Sequence, residues 1–193
     1  MTTGSDPAIL LSTPRLILRR FAETDADAQL LFDLDSDPAV TRYTGPGHAS
    51  LAEYRDKIRN QFLPCYAVNP ARGIFAALED GTFIGWFALR PATDYRFARE
   101  AGWTRASDVE LGYRLRRASW GRGLATEVST ALVGLALADS AVTCIVAAAL
   151  APNRASTRVM EKVGMRRIRE FAIPGFEDPS VMYALCRNSC PPP

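Results

Sequence analysis

Histidine is nearly absent from this chain: His48 is the only one in 193 residues. A Ser-His or Cys-His nucleophilic pair, or a zinc site of mixed His and Cys ligands, therefore has little to be built from, and no metal is expected. The four cysteines, Cys65, Cys144, Cys186 and Cys190, are scattered and form no C-x-x-C pair. Cys144 lies inside an apolar run and reads as an inert core thiol. No apolar stretch reaches 18 residues, and the opening MTTGSDPAIL carries Asp6 and Pro7 without a basic segment, so neither a membrane partner nor a signal peptide is expected. The expected location is the cytoplasm. A large charge of one sign is missing too: the net charge is +2, which speaks against nucleic acid as a partner through bulk electrostatics.

What is there suits one globular domain with a sizeable core, since 48% of residues are apolar and 23% charged. The chain is organised around DVELGYRLRRASWGRGLATE, from Asp108 to Glu127. Val109, Leu111, Tyr113 and Leu115 alternate with Asp108, Glu110, Gly112 and Arg114, the pattern of a half-buried strand. After Gly121 and Gly123 the period changes: Leu124, Val128, Ala131, Leu132 and Leu135 lie three and four apart, on one helix face. A strand thus feeds a helix through a glycine turn. The first N–H groups of a helix lack internal partners and its dipole is positive there, so phosphate oxygens are natural guests. Arg122, with Arg116 and Arg117 upstream, adds cations to that turn. Known phosphate fingerprints are absent, however. No Gly-Lys-Ser/Thr follows, and Thr126 stands where a dinucleotide site has its third glycine, which disfavours a nucleotide-binding protein.

Elsewhere the local signals are plain. A first strand is expected over about residues 15–21, after Pro14. Thr24 with Asp27 resembles a capping box, and Ala28, Leu31 and Phe32 give its helix an apolar face until Asp37 and Pro38. Residues 41–49 read as turns. Ser50 and Glu53 form a second capping box, opening a helix expected to stop before Pro64. Residues 74–78 and 82–89 read as a hairpin through Glu79, Asp80 and Gly81. Residues 91–106 show no clear period and read as a long loop, a flap near a substrate mouth or a surface segment. A buried strand over 142–150 follows, then a helix from Arg154 to Val163 capped by Asn153 and closed by Gly164. Residues 166–171 and 181–186 form a last strand pair before a frayed tail SCPPP. With no repeat and no linker, the expectation is a single α+β domain over residues 1–193, its mixed sheet mostly antiparallel and flanked by helices.

WGRGLATE, preceded by VELGYRL and followed by NRASTRVMEKVGM, resembles the acetyl-CoA site of the GCN5-related N-acetyltransferases. The likeness is strongest to the branch that acetylates ribosomal-protein N-termini, whose first strand TPRLILRRF is also similar. It spans about residues 13–185. The resemblance implies that the central strand and its neighbour splay apart and that acetyl-CoA is the cosubstrate. Its pantetheine arm would bond the backbone of Tyr113, Arg114 and Leu115. Its pyrophosphate would meet the N–H groups of Gly121, Arg122, Gly123, Leu124, Ala125 and Thr126, beside Trp120 and Arg117. Asn153 and Ser156 match the N-x-x-S signature near the sulfur. A homodimer is implied by the family alone.

Transfer to an amine requires a base for the amine and an acid for the departing thiolate. Glu110 on the central strand is the candidate base, through a water. Relatives place a tyrosine acid four residues after the serine, but this chain has Met160, which leaves Ser156 as the acid. At pH 7 an α-amine is roughly 10% neutral and a lysine amine on the order of 0.1%, which favours an α-amine acceptor. The expected activity is therefore N-acetylation of a primary amine, a protein N-terminus foremost. The alternatives are a small-molecule amine (amino acid, polyamine or aminoglycoside) and a non-catalytic acyl-CoA-binding module, towards which Met160 leans.

Overall fold

A computed structural model describes residues 8–47, 49–100, 102 and 105–187. His48, Trp103, Cys190 and the tail SCPPP lie outside the described residues. The described residues form two compact units, one of those up to Phe87 together with Arg114–Leu124, the other of Ala88–Tyr113 together with those from Ala125 onward.

In the first unit the strands β1 (Ile9–Ser12), β2 (Ile17–Arg20), β3 (Gly73–Glu79) and the start of β4 (Thr82–Pro91) follow one another. β1 pairs with β2, and β2 with β3, antiparallel. β1 was not expected from the sequence; a tight turn in which Thr13 N–H donates to the Leu16 carbonyl at 2.8 Å folds it back onto β2. The β3–β4 connection is the expected hairpin, with Asp80 (φ 47°) and Gly81 (φ 76°) as a two-residue turn of positive φ. Helix α1 (Asp25–Asp35) begins where Thr24 accepts the Asp27 N–H at 3.2 Å. The reciprocal half of the capping box is absent, because the Asp27 carboxylate instead accepts from Arg19 and from the Ala22 N–H. A short α2 (Pro38–Thr41) follows. Ser50 and Glu53 do form both halves of theirs and start α3 (Leu51–Lys57), which packs on α1.

Pro64 does not end that helical run. A π-helical turn, Ile58–Phe62, passes the Leu63 N–H to the Ile58 carbonyl, and α4 (Leu63–Val68) continues with proline in its first turn. Pro64 sits in the first turn of α4, directly after the π-helical turn, where its fixed φ suits the helix.

The second unit begins with the end of β4 and a 3-10 turn, Ala92–Asp94. α5 (Arg96–Glu100) then occupies part of the stretch expected to be irregular. Ala92 and Ala98 are fully buried against Cys144, Val146, Met182 and Ala184, and this packing overrides the weak local pattern. β5 (Val109–Leu115) leads to α6 (Leu124–Ala138); β6 (Cys144–Leu150), α7 (Arg154–Lys162), β7 (Arg166–Phe171) and β8 (Ser180–Cys186) complete the chain. The strand order is β1-β2-β3-β4-β5-β6-β8-β7 in one mixed sheet of eight strands. β5 and β6 pair in parallel, and β6–β8 and β7–β8 are antiparallel.

Cys144 is not a free core thiol. The β6–β8 register sets it opposite Cys186, with Cα atoms 4.1 Å apart, and the two form a disulfide. Among the described residues no helix is long and apolar enough to cross a membrane.

Candidate acetyl-transfer site

The glycine turn has a backbone reason for its composition. Gly121 and Gly123 have φ of 73° and 79°, the left-handed region that costs any side-chain-bearing residue. Neither glycine is there for lack of room: no described atom lies within 4 Å of a Gly121 Cβ position, and at Gly123 the nearest is Arg15 Nη2 at 3.8 Å. The turn therefore presents main chain on an open side, directly before Leu124, Ala125 and Thr126 in the first turn of α6. Trp120 braces it, its indole N–H donating to the Leu115 carbonyl at 2.9 Å while half the ring stays exposed.

The three arginines of this turn are engaged differently. Arg122 makes two bonds of 2.7 Å to the Glu79 carboxylate, and its carbonyl accepts from Arg15 at 3.0 Å. Arg116 lies over the Phe83 ring at 5.3 Å. Arg117 is exposed in the 3-10 turn Arg117–Ser119. The side chain of Arg114 points to the opposite task. It bonds Asp35 and Thr44 and lies 5.6 Å from the Trp86 ring centroid, while Asp35 also accepts from Tyr54 at 2.8 Å. Sequence reasoning counted Arg114 for its backbone only and missed this clamp on residues 41–47.

The splay expected of the central strands is present. The parallel ladder joins Val109 to Ile145 and Glu110 to Val146 and stops, although β5 runs on to Leu115 and β6 to Leu150. β6 stays paired to β8 along its whole length. Within the second unit the β5 backbone from Leu111 to Tyr113 thus lies beyond the rungs of that ladder.

Two chemically distinct clusters lie in this second unit. In one, Glu110 is buried, its side chain 3% exposed, and its Oε2 accepts from Arg90 Nε at 2.8 Å. Burial pushes the carboxyl above its usual range, and the Arg90 charge and hydrogen bond oppose that shift. Arg90 in turn lies over the Tyr95 ring at 5.1 Å. In the other cluster the Asn153 carboxamide caps α7, accepting the Ser156 N–H at 3.2 Å as expected. The Ser156 side chain hydrogen-bonds the Tyr113 phenol; burial raises the phenol's pKa and that bond counteracts it. Met160 is buried in the core. A tyrosine hydroxyl therefore does reach the serine, from the central strand instead of from α7. No spacing rule would have found it, since Tyr113 and Ser156 are far apart in sequence. Among the described residues no cluster of His, Cys, Asp and Glu is arranged to hold a metal.

Similar proteins carry the same architecture. The chain is 31% identical over 165 residues to an uncharacterized N-acetyltransferase, YoaA, of Bacillus subtilis, covering 82% of this chain and 83% of that one. RimL, the ribosomal L7/L12 alpha-N-protein acetyltransferase, solved with coenzyme A, superposes with a TM-score of 0.71 over 93% of this chain and 98% of its own, at 16% identity. The aminoglycoside acetyltransferase AAC(6')-Ib with coenzyme A gives a TM-score of 0.69 over 89% and 95%, at 23% identity. At those identities the structural likeness concerns the fold. Residues 15–166 match the family model of the acetyltransferase (GNAT) domain, and with a strand ladder that opens after Glu110 ahead of a glycine turn, the chain belongs to the GNAT family of acetyltransferases.

Proposed function

We propose that this protein transfers acetyl from acetyl-CoA to a primary amine, a protein N-terminal α-amine foremost. The observation that carries the reading is the buried Glu110 carboxylate at the last rung of the β5–β6 ladder, a base held where the strands begin to part. The residues fit the cosubstrate: Gly121 and Gly123 have positive φ and little around their Cβ positions, so the turn before α6 can admit a phosphate, and the β5–β6 ladder has its last rung at Glu110.

Acetyl-CoA supplies an acyl group on a thioester. In this reading the N–H groups of Gly121 to Thr126 hold its pyrophosphate, with Arg117 as the side-chain cation and the Arg122 side chain kept by Glu79. The backbone of Tyr113 to Leu115 orients the pantetheine arm, beside Trp120. Glu110 takes a proton from the attacking ammonium so that its lone pair is free. Ser156 gives its hydroxyl proton to the departing sulfur and draws on the Tyr113 phenol bonded to it. Asn153 fixes Ser156 by capping its helix. The α-amine is favoured because more of it is neutral near pH 7 than of a lysine amine.

The whole chain acts as one transferase domain in this reading, in the cytoplasm and as a homodimer, with neither nucleic acid nor membrane as partner. The likeness to an aminoglycoside acetyltransferase motivates the second acceptor class, small cationic amines. Both are tested by following CoA thiol release over a panel of free-N-terminal peptides, N-blocked lysine peptides, polyamines and aminoglycosides. Release with free-N-terminal peptides supports the α-amine reading, and release confined to small amines replaces it. Binding of acetyl-CoA with no release from any amine returns the protein to a binding module. In the same assay Glu110→Gln lowers turnover more at low pH than at high pH, and an unchanged profile removes Glu110 as base.

A further inference from the structure

We propose that Arg90 is the positioning residue of the base: it holds Glu110 as a carboxylate, engages Oε2, and leaves Oε1 over Gly112 as the oxygen that takes the proton. The inference rests on the reading of Glu110 as base.

Three features of the geometry point to it. First, a carboxylate with a side chain 3% exposed lacks the water that would stabilise its charge, and an isolated one would neutralise itself by protonation. The Arg90 Nε–H at 2.8 Å is a charge-assisted donor to one oxygen only, so the second oxygen is not consumed by the pair. Second, a Cβ on Gly112 would fall on Glu110 Oε1 and lie 3.3 Å from its Cδ. The carboxylate is folded back along its own strand into a notch that only glycine provides. Oε1 is thus the oxygen set over Gly112, while Oε2 takes the Arg90 bond.

Third, Arg90 is itself held. Its guanidinium rests on the Tyr95 ring at 5.1 Å, within range of a cation–π contact. The Tyr95 hydroxyl donates to the Ala148 carbonyl at 3.3 Å, and its ring stacks on Phe97 at 5.3 Å with 6° between planes. Phe97 leans on Phe176 at 6.0 Å. The Ala92 N–H donates to the Asp108 carbonyl at 2.9 Å, tying the chain just past Arg90 to the start of β5. The base is therefore set by a column that runs from Phe176 to Glu110. The charged and titratable groups acting on the pair are few. Arg90 and Tyr95 face Glu110, Asp94 acts on Arg90, and the β6 neighbour Val146 carries no charge. Asp108, just before that strand, accepts from Thr143, the Cys144 N–H and Ser107.

The test is the Glu110 titration midpoint, followed by NMR of the full chain with 13C at the glutamate carboxyls, using Glu110→Gln to assign the signal. Arg90→Met is expected to raise the midpoint by about 1 unit or more, because the opposing cation is gone and burial remains. Arg90→Lys keeps a cation without the planar donor and is expected to shift it less. Gly112→Ala should displace the carboxylate and depress turnover at every pH, since no change of protonation restores the oxygen's position. Should Arg90→Met not fold, Arg90→Lys alone still decides, an unmoved midpoint with unchanged turnover overturning the proposal. A midpoint unmoved in a folded Arg90→Met protein overturns it as well. Failure of the underlying reading looks different: Glu110→Gln would keep the wild-type acid limb of the pH–rate profile while the Arg90 variants still move the Glu110 midpoint.

Discussion

Gly85 on β4 should be among the least replaceable positions of the first unit. Its φ is 145°, and a Cβ there would fall on the Arg114 carbonyl oxygen and lie 2.8 Å from Leu115 Cα. Both obstacles are main chain, which cannot swing aside as a side-chain tip could. Gly85→Ala therefore combines backbone strain of about 1–3 kcal/mol with overpacking of about 1–3 kcal/mol. The sum, about 4 kcal/mol, corresponds to a melting temperature lower by about 8–16 °C for a chain of this size. The displaced atoms are those of Arg114 and Leu115, whose backbone we propose holds the pantetheine arm, so acetyl-CoA affinity should fall as well. Gly134 on α6 is the control. No described atom lies within 4 Å of its Cβ position and it has no positive φ, so Gly134→Ala should raise stability by up to about 1 kcal/mol through helix propensity. Thermal unfolding of both variants, with calorimetric titration of acetyl-CoA, checks the argument. A Gly85→Ala protein that melts within about 2 °C of wild type would refute the close approach of β4 to the central strand.

Two further tests concern buried pairs. Asp35, its side chain 5% exposed, is bonded to both Arg114 and Tyr54, so Asp35→Leu should cost about 3–5 kcal/mol by leaving the Arg114 charge unpaired. Adding Arg114→Leu should recover part of that loss, and a double-mutant cycle by denaturant unfolding that shows no coupling would contradict the clamp. The Cys144–Cys186 bridge closes a separation of 42 residues, for which chain entropy gives about 4 kcal/mol. Thiol counting in denaturant should find two fewer free thiols before reduction than after, and reduction should lower the melting temperature; equal counts would mean that no bridge forms.

The elements that were legible in the sequence carry their cause locally. β5, the glycine turn and α6 announce themselves by a change of period at Gly121 and Gly123, and Asp80-Gly81 and the Ser50/Glu53 box each need only four residues. The misreadings arose where distant residues decide. α5 exists because Ala92 and Ala98 pack on β6 and β8, and α4 carries on through Pro64 because a π-helical turn shifts the bonding register. Cys144 finds Cys186 only once β6 and β8 are aligned. Among the candidate site residues, Asn153, Ser156 and Glu110 are proposed from residue types in a pattern, whereas the groups they bond were not foreseen. Arg90 reaches Glu110 across 20 positions and Tyr113 on β5 reaches Ser156 on α7, and neither spacing belongs to a helix or hairpin period.

The central claim is that acetyl-CoA is the cosubstrate of this chain, and the shift of melting temperature with acetyl-CoA, against ATP and NAD at matched concentration, tests it most directly. A ligand at 100 times its Kd adds about 2.7 kcal/mol to stability, or about 5–10 °C here. The account predicts a shift of that size with acetyl-CoA and none with the other two. No shift with acetyl-CoA, or a larger one with ATP or NAD, would contradict it.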